Sequence, residues 1–191
     1  MTLKTKAMLM ISMFTSLMAV GAFIRIETPL VPITLQFAFS AYAGVVLGAK
    51  RGAMSQVLYI LIGLIGFPVF TRGGGPFYIF EPTFGYLVGF VAASYVVGKT
   101  TEKMIVFDTK KAIVKVSFAL AIGLLAVYVV GMLYLMLIMN TVLGAPMTLQ
   151  GAFLAGVLPF ILADTIMSVV VIASALRIMP ALKVVKKEKY A

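Results

Sequence analysis

The sequence predicts an all-α integral membrane protein with six transmembrane helices and both termini in the cytoplasm. Its 191 residues have a mean hydropathy of +1.12 and are 62% hydrophobic, too apolar for a soluble domain of this length. Runs without a charged residue cover 7–24, 28–49, 52–71, 82–98 and 116–163. Because about 20 apolar residues cross a bilayer, these runs supply the crossings, and residues 1–191 form a single membrane domain.

The six helices are expected at about 6–24, 34–49, 52–67, 82–98, 112–139 and 150–176. The last two share one uncharged run, which Asn140, Gly144 and Pro146 interrupt. Fourteen of the 16 Lys and Arg residues lie in alternate gaps, beginning with the N-terminal tail and ending with the C-terminal stretch. Positive residues in short loops stay cytoplasmic. Both ends of the chain therefore face the cytoplasm, and the protein is expected in the cell membrane as a multi-pass protein.

Several kinds of chemistry are excluded by what the chain lacks. There is no His and no Cys, so the usual zinc sites and Cys or Ser–His nucleophiles cannot form, and no cofactor or metal is expected. A phosphate-binding loop ending in Gly98-Lys99-Thr100 would need a glycine at Ala93. The net charge of +10 lines one membrane face, where it meets anionic lipid rather than nucleic acid. Any ATP hydrolysis must therefore occur on another chain.

Asp164 is the one carboxylate deep within a predicted helix. An ionised Asp near the middle of a bilayer costs about 2.5–3.5 kcal/mol on insertion scales, so such residues usually face the bundle interior and have a function. Three interpretations stay open at this point: a structural hydrogen bond to a neighbouring helix, a contact to a ligand, or a proton relay. A relay would need a second intramembrane acid, and none is evident in the sequence.

The first outward-facing segment, residues 25–36, is predicted to be extended. Pro29 and Pro32 disfavour a regular helix there. Thr34 and Gln36 are two residues apart, so in an extended segment both side chains point the same way.

The second outward-facing segment, residues 67–86, combines three successive glycines with five aromatic residues that follow them. The polar side chains in it are Arg72, Glu81 and Thr83. Such a segment can be a surface loop whose aromatics sit at the membrane interface. Alternatively, it is a lid over an outward-opening pocket for a small, mostly apolar ligand.

Ser12 and Ser16 place two small residues one turn apart on the first helix. Small residues let a second helix approach closely in lipid. The pair can pack inside this bundle or against a separate membrane subunit, and spacing alone leaves both possibilities open.

Several motifs together resemble one known family, the BioY proteins, which are the biotin-specific substrate-binding (S) components of energy-coupling factor (ECF) transporters. The matching motifs are Val31-Pro-Ile-Thr-Leu-Gln36, Gly48-Ala-Lys-Arg-Gly-Ala53 with Ser55, Leu64-Ile-Gly-Phe-Pro-Val-Phe70, Gly74-Gly75, and Pro82-Thr-Phe-Gly-Tyr-Leu-Val-Gly-Phe90. The resemblance implies a six-helix protein that captures biotin from outside and is not an enzyme. It also implies a partner module of one transmembrane coupling subunit and two cytoplasmic ATPases, with Ser12 and Ser16 in the region that docks the coupling subunit.

The resemblance also implies which residues bind the ligand. Asp164 matches an aspartate expected to accept a ureido N–H of biotin, and an ionised acceptor strengthens that bond. The remaining residues implied for substrate binding are Gln36, Thr34, Thr83, Tyr86, Tyr78, Phe84 and Arg72. Among these, Phe84 and Tyr78 are expected to pack on the fused ring and the tail of the ligand.

Three residues depart from the family pattern: Met167 stands where Lys is frequent, and Glu81 and Phe77 stand where small residues are common. Without that Lys, Arg72 is the obvious cation near the pocket mouth, and Glu81 would repel an anionic tail unless it pairs with Arg72 or turns away. A shifted ligand, such as a biotin precursor or another small cofactor, is therefore an alternative. A membrane enzyme, or a solitary ion-coupled carrier or channel, would need more ionisable or polar groups within the bundle than the sequence offers.

Overall fold

The computed structural model describes residues 3–102 and 109–187. Within these ranges the chain is almost entirely helical. The α-helices are α1 (Leu3–Phe23), α2 (Gln36–Leu47), α3 (Ala49–Ile65), α4 (Phe84–Glu102), α5 (Thr109–Thr141), α6 (Leu149–Gly156) and α7 (Leu158–Lys187). A 3₁₀ helix covers Pro76–Phe80, and two short strands, β1 (Arg25–Ile26) and β2 (Ile33–Thr34), form an antiparallel pair. Part of the basic gap expected between the fourth and fifth helices, residues 103–108, lies outside the described residues, as do 1–2 and 188–191.

Three of the described helices are long and apolar enough to cross a membrane, over Thr5–Phe23, Lys110–Thr141 and Leu158–Arg177. The helix Gln36–Leu47 is apolar but shorter. The predicted helices at 52–67 and 82–98 correspond to α3 and α4. Both carry charged residues near one end, Lys50 and Arg51 in the first case and Lys99 and Glu102 in the second.

The predicted sixth helix, 150–176, is divided into α6 and α7. Val157 separates them with φ −126° and ψ −55°, and Pro159 follows in the first turn of α7. Proline has no N–H to continue the hydrogen-bond ladder of a preceding helix, but it fits a helix start. The division therefore follows from Pro159, and the absence of charged residues from 116–163 gave no indication of it. With eight residues, α6 is only about 12 Å long.

The predicted interruption after the fifth helix is confirmed. Asn140 closes the loop there, because its side chain donates to the Met147 carbonyl at 3.1 Å and accepts the Met147 N–H at 2.7 Å. Thr148 then caps α6 by accepting the N–H of Gly151 at 3.1 Å. Side chains of the break thus bond the backbone of Met147 and Gly151.

Helix α4 lies at the centre of the bundle and contacts α2, α3 and α5. Glycines allow α2 and α4 to approach closely. A Cβ atom at Gly44 of α2 would lie only 2.9 Å from the backbone nitrogen of Gly98 in α4. Gly48, with φ +82°, both ends α2 and begins α3, so the two helices turn without a linker. Glu102 at the end of α4 accepts the Ala49 N–H at 2.9 Å and so holds the start of α3.

The two segments predicted to face outward, residues 25–36 and 67–86, are called the outward segments below, and they fold against each other and against the helix ends. Pairing of Arg25 with Thr34 and of Ile26 with Ile33 makes the first segment a short hairpin. In the second, Gly73 and Gly75 have φ of 109° and 113°, which L side chains rarely adopt. The Gly75 N–H donates to the Gly63 carbonyl at 2.7 Å and thereby ties this segment to α3.

Candidate functional site

A recess lies among α2, α4, α5, α7 and the two outward segments. Its cavity volume is about 40 Å³. The recess is therefore narrow. Its apolar walls include Val31, Phe37, Leu87, Phe90, Val127 and Phe160.

Six of the eight side chains predicted to bind the substrate line this recess. They are Thr34, Gln36, Tyr78, Thr83, Tyr86 and Asp164. They come from three separate parts of the chain, residues 34–36, 78–86 and 164, and the packing of the helices brings them together. A set of convergent polar groups in apolar walls is typical of a small-molecule site.

Asp164 is 8% exposed and has one side-chain partner in the described structure, Tyr128. The Tyr128 hydroxyl donates to Asp164 Oδ2 at 2.6 Å, a short distance typical of a bond to a carboxylate. Tyr128 lies on α5 and also lines the recess, but it is not among the residues predicted from the sequence. The sequence feature that could have indicated Tyr128 is its position in an uncharged apolar run, where a tyrosine hydroxyl needs a hydrogen-bond partner.

Tyr86 also lines the recess, but its hydroxyl is already engaged. It donates to the Gly156 carbonyl at 2.7 Å. That carbonyl is available because the helix breaks at Val157: the Phe160 N–H donates to the Val157 carbonyl instead of continuing the ladder from Gly156. Tyr86 therefore ties α4 to the junction between α6 and α7 and presents its ring to the recess.

Three hydroxyls from the second outward segment form a cluster in the recess lining. The Tyr78 hydroxyl lies 3.0 Å from Thr71 Oγ1 and 3.0 Å from Thr83 Oγ1. All three residues are buried. Thr71 is a recess residue that the sequence analysis did not select, since nothing distinguishes it locally from other loop threonines.

The side chains of Thr34 and Gln36 meet, but the extended geometry predicted for this stretch is wrong at its end, because Leu35 has φ −82° and ψ 5°. Thr34 Oγ1 lies 3.3 Å from Gln36 Oε1, and the Gln36 N–H donates to Thr34 Oγ1 at 3.4 Å. Gln36 is the first residue of α2 rather than part of an extended stretch. Its amide nitrogen donates to the Tyr59 hydroxyl at 3.0 Å.

Arg72 and Phe84, the other two predicted residues, are not among the residues that line the recess. Arg72 pairs with Glu81 at 3.4 Å and donates to the Leu30 carbonyl at 3.3 Å, with both charged side chains partly exposed. Phe84 packs against Tyr134, with ring centroids 5.8 Å apart.

Two arginines connect the outward segments in opposite directions. Arg72 of the second segment donates to Leu30 of the first. Arg25 of the first segment donates to the Thr71 carbonyl of the second and pairs with Glu27 at 2.5 Å. Leu30 precedes Val31 and Thr71 lines the recess, so both links lie beside its wall.

Other features of the surface bear on partners and metals. Ser12 and Ser16 are exposed on α1, and the Ser16 hydroxyl donates to the Ser12 carbonyl at 3.1 Å. Among the described residues, no group of three or more His, Cys, Asp or Glu side chains is placed to hold a metal ion.

Comparison with known proteins gives the family. A model of the BioY family matches residues 1–184. The chain belongs to the BioY family. A probable biotin transporter BioY from Lysinibacillus sphaericus is 44% identical over 172 residues, which cover 90% of this chain and 84% of that protein. The biotin transporter BioY from Thermotoga maritima is 34% identical over 171 residues, covering 86% and 90%.

A solved structure supports the same fold. The crystal structure of the S-component for biotin from an ECF-type ABC transporter superposes with a TM-score of 0.65 at 22% identity, covering 93% of this chain and 94% of that one. At this identity the likeness concerns the fold, and it matches an all-helical membrane protein.

The three departures from the BioY pattern can now be located. Glu81 pairs with Arg72. Phe77 is 80% exposed. Met167 is partly buried against the hydrophobic core and is not part of the recess lining.

Proposed function

We propose that this chain is the biotin-binding S component of an ECF transporter, a membrane protein that captures biotin and does not act as an enzyme. Membership of the BioY family supports this proposal, as do the names of its relatives. The alternative of a different small ligand for the same recess is not favoured, because relatives covering most of the chain are named for biotin.

The observation that carries the proposal is the carboxylate of Asp164 in a narrow, mainly apolar recess. Tyr128 occupies one of its oxygens at 2.6 Å. The other oxygen is an acceptor for a neutral donor, and the ureido ring of biotin has two N–H donors. In an apolar recess a charge-assisted hydrogen bond is stronger than a neutral one.

The remaining residues have complementary roles in the proposal. Thr34 and Gln36 provide neutral hydrogen-bonding groups, and so do Tyr78 and Thr83. The ring of Tyr86 contributes apolar area beside them.

Phe84 and Arg72 stand outside the lining and would act at its edge. In this proposal Phe84 packs on the ligand after a local change at its contact with Tyr134. Arg72 attracts the anionic valerate tail when its pair with Glu81 opens. Because that pair is about 40% exposed, opening it costs little.

For the topology we propose six crossings of the cytoplasmic membrane by one domain, residues 1–191, with both termini in the cytoplasm. The positive-inside distribution supports this orientation. In this arrangement α6 and α7 together make the sixth crossing. Labelling of single cysteines introduced at Phe77 and Lys110 tests it: we expect the first to react from outside and the second only after permeabilisation.

We further propose that transport requires one transmembrane coupling subunit and two cytoplasmic ATPases. The absence of a phosphate-binding loop from the sequence supports a separate source of energy. The exposed pair Ser12 and Ser16 is the proposed contact with the coupling subunit, because small residues allow close helix packing in lipid.

The deciding experiment is identification of the ligand that copurifies with the protein, by mass spectrometry, followed by titration of ligand-free protein with biotin. We expect biotin in the purified sample and saturable binding. Dethiobiotin, titrated in parallel, represents the precursor class. Tighter binding of dethiobiotin than of biotin would favour the alternative ligand, and binding of neither would refute the proposal.

A further inference from the structure

Tyr59 lies on α3 outside the recess lining, but its hydroxyl contacts one residue of each outward segment. The residue is 1% exposed. Gln36 Nε2, from the recess wall, donates to the hydroxyl at 3.0 Å. The hydroxyl itself donates to the carbonyl of Val69, in the second outward segment, at 2.8 Å. One oxygen atom therefore joins a recess residue to the loop beside it.

The chemistry of these three groups determines how the Gln36 amide is oriented. A backbone carbonyl only accepts hydrogen bonds, so the bond to Val69 consumes the single hydrogen of the Tyr59 hydroxyl. The hydroxyl then has only lone pairs to offer to Gln36. The amide must present its NH₂ group to Tyr59, and its oxygen must point elsewhere.

Thr34 meets the other end of the amide. Its hydroxyl oxygen accepts the Gln36 backbone N–H at 3.4 Å and lies 3.3 Å from Gln36 Oε1, to which it donates. Tyr59 and Thr34 thus hold the two ends of one side chain. After these bonds, Gln36 retains one amide N–H and one oxygen lone pair for a ligand.

The aromatic ring of Tyr59 has a separate role from its hydroxyl. The ring meets Phe70 edge to face, with centroids 5.4 Å apart, and Phe70 in turn packs on Tyr78 at 4.3 Å. A Tyr59→Phe substitution keeps this packing and removes only the oxygen. The two contributions can therefore be separated by experiment.

We infer that Tyr59 is a positioning residue: its hydroxyl, held by the Val69 carbonyl, fixes the direction of the Gln36 amide and thereby the hydrogen-bonding pattern that the recess offers to its ligand. This inference rests on the proposed function. The NH₂ group of a glutamine side chain donates and its oxygen accepts, and a free side chain can rotate to exchange the two, so a free amide adapts to several ligands. An amide held at both ends discriminates between them, because a mismatched ligand leaves a buried polar group unpaired.

The test begins with wild-type protein titrated with biotin, which examines the proposed function by itself. Tyr59→Phe is then compared with Tyr42→Phe, which removes a hydroxyl that bonds Ser174 and the Val170 carbonyl on α7. We expect Tyr59→Phe to weaken biotin binding by about tenfold, the loss typical of one buried hydrogen bond. We expect Tyr42→Phe to retain the wild-type affinity.

A double-mutant cycle distinguishes positioning from general support of the fold. Gln36→Met keeps the volume of the side chain but removes the amide that Tyr59 orients. If Tyr59 acts through Gln36, adding Tyr59→Phe to Gln36→Met weakens binding by no more than about twofold. Independent, additive losses would overturn the inference, because the hydroxyl would then act by another route.

Thermal unfolding in detergent completes the comparison. We expect Tyr59→Phe and Gln36→Met both to remain folded. A Tyr59→Phe protein that cannot be recovered folded would overturn the inference, since the hydroxyl would then serve the fold as a whole. Wild-type affinity in Tyr59→Phe would overturn it too, while leaving the proposed function intact.

Discussion

The recess has two polar sides that are built differently. On the side of α5 and α7, one carboxylate, Asp164, has one partner, Tyr128, and both lie within long helices. On the side of the outward segments, the polar groups are neutral. They include the amide of Gln36 and the hydroxyls of Thr34 and Tyr78, whose side-chain hydrogen bonds run from 3.0 to 3.4 Å.

The two sides of the recess therefore differ in how strongly they bind a ligand and in how easily they rearrange around it. A carboxylate held by helices offers a strong acceptor at a defined place, and it cannot move far without moving a whole helix. The neutral hydroxyls of Tyr78 and Thr83, carried by the second outward segment, bind more weakly one by one. They can close around a ligand after it enters, because loops move at lower cost than packed helices. The helical side should dominate affinity, and the loop side should govern fit and access.

The largest effect is expected for Asp164→Asn, which keeps the size of the side chain and removes the charge from the helical side of the recess. We expect biotin affinity to fall by about 10- to 100-fold, as for the loss of a charged hydrogen bond. Ser168→Ala is the matched control, because the Ser168 hydroxyl donates to the backbone carbonyl of Asp164 at 2.7 Å and leaves the carboxylate alone. Unchanged affinity in Asp164→Asn would remove this residue from the site.

Tyr128→Phe tests whether the carboxylate needs its partner. We expect about a tenfold loss of affinity, since Asp164 loses its orienting donor but keeps its charge. Combined with Asp164→Asn, the loss should be smaller than the product of the two, because both residues act on the same bond. Isothermal titration of the single and double variants measures this, and fully independent losses would contradict the pairing.

Arg72→Gln examines the loop side and its proposed role with the anionic tail. We expect about a fivefold loss of biotin affinity, in the range of a partly exposed ion pair. Biotinamide, which lacks the tail charge, should bind wild-type and variant protein equally. Glu81→Gln is the paired variant, and it should strengthen biotin binding slightly by releasing Arg72. Equal losses for biotin and biotinamide would instead assign Arg72 to holding the two outward segments together.

The smallest effect on affinity is expected for Ser12→Leu combined with Ser16→Leu. Both residues are exposed on α1, away from the recess lining. Biotin binding should stay within about twofold of wild type, whereas recovery of the complex with the coupling subunit should fall sharply because the helices cannot approach closely. Affinity purification of the complex measures this, and normal recovery would refute the docking proposal.

Much of the site was predictable from local motifs. Thr34, Gln36, Thr83 and Tyr86 belong to short sequence patterns, and Asp164 was the one acid deep in an apolar helix. Tyr128 and Tyr59 were not predictable in the same way. Each is a single phenol among apolar residues, and its role in the site depends on its hydrogen-bond partner. That partner is Asp164 Oδ2 for Tyr128 and Gln36 Nε2 for Tyr59.

The roles of the two arginines also required the structure. The sequence placed Arg72 near the mouth and raised its pairing with Glu81, but it carried no sign that Arg25 and Arg72 each reach a backbone carbonyl of the opposite segment. The division of the predicted sixth helix was predictable only in part. Pro159 was visible in the sequence, but hydropathy does not depend on its missing N–H and so did not predict a helix end there.

By itself, the sequence determined that this chain is a helical membrane protein of the BioY family, because hydropathy and charge act over long windows and motifs are contiguous. Only the packed structure shows which lone phenols orient the acid and the amide, and how the outward segments hold each other. These depend on distances of about 3 Å between residues far apart in the chain, and no pattern along the chain encodes such a distance.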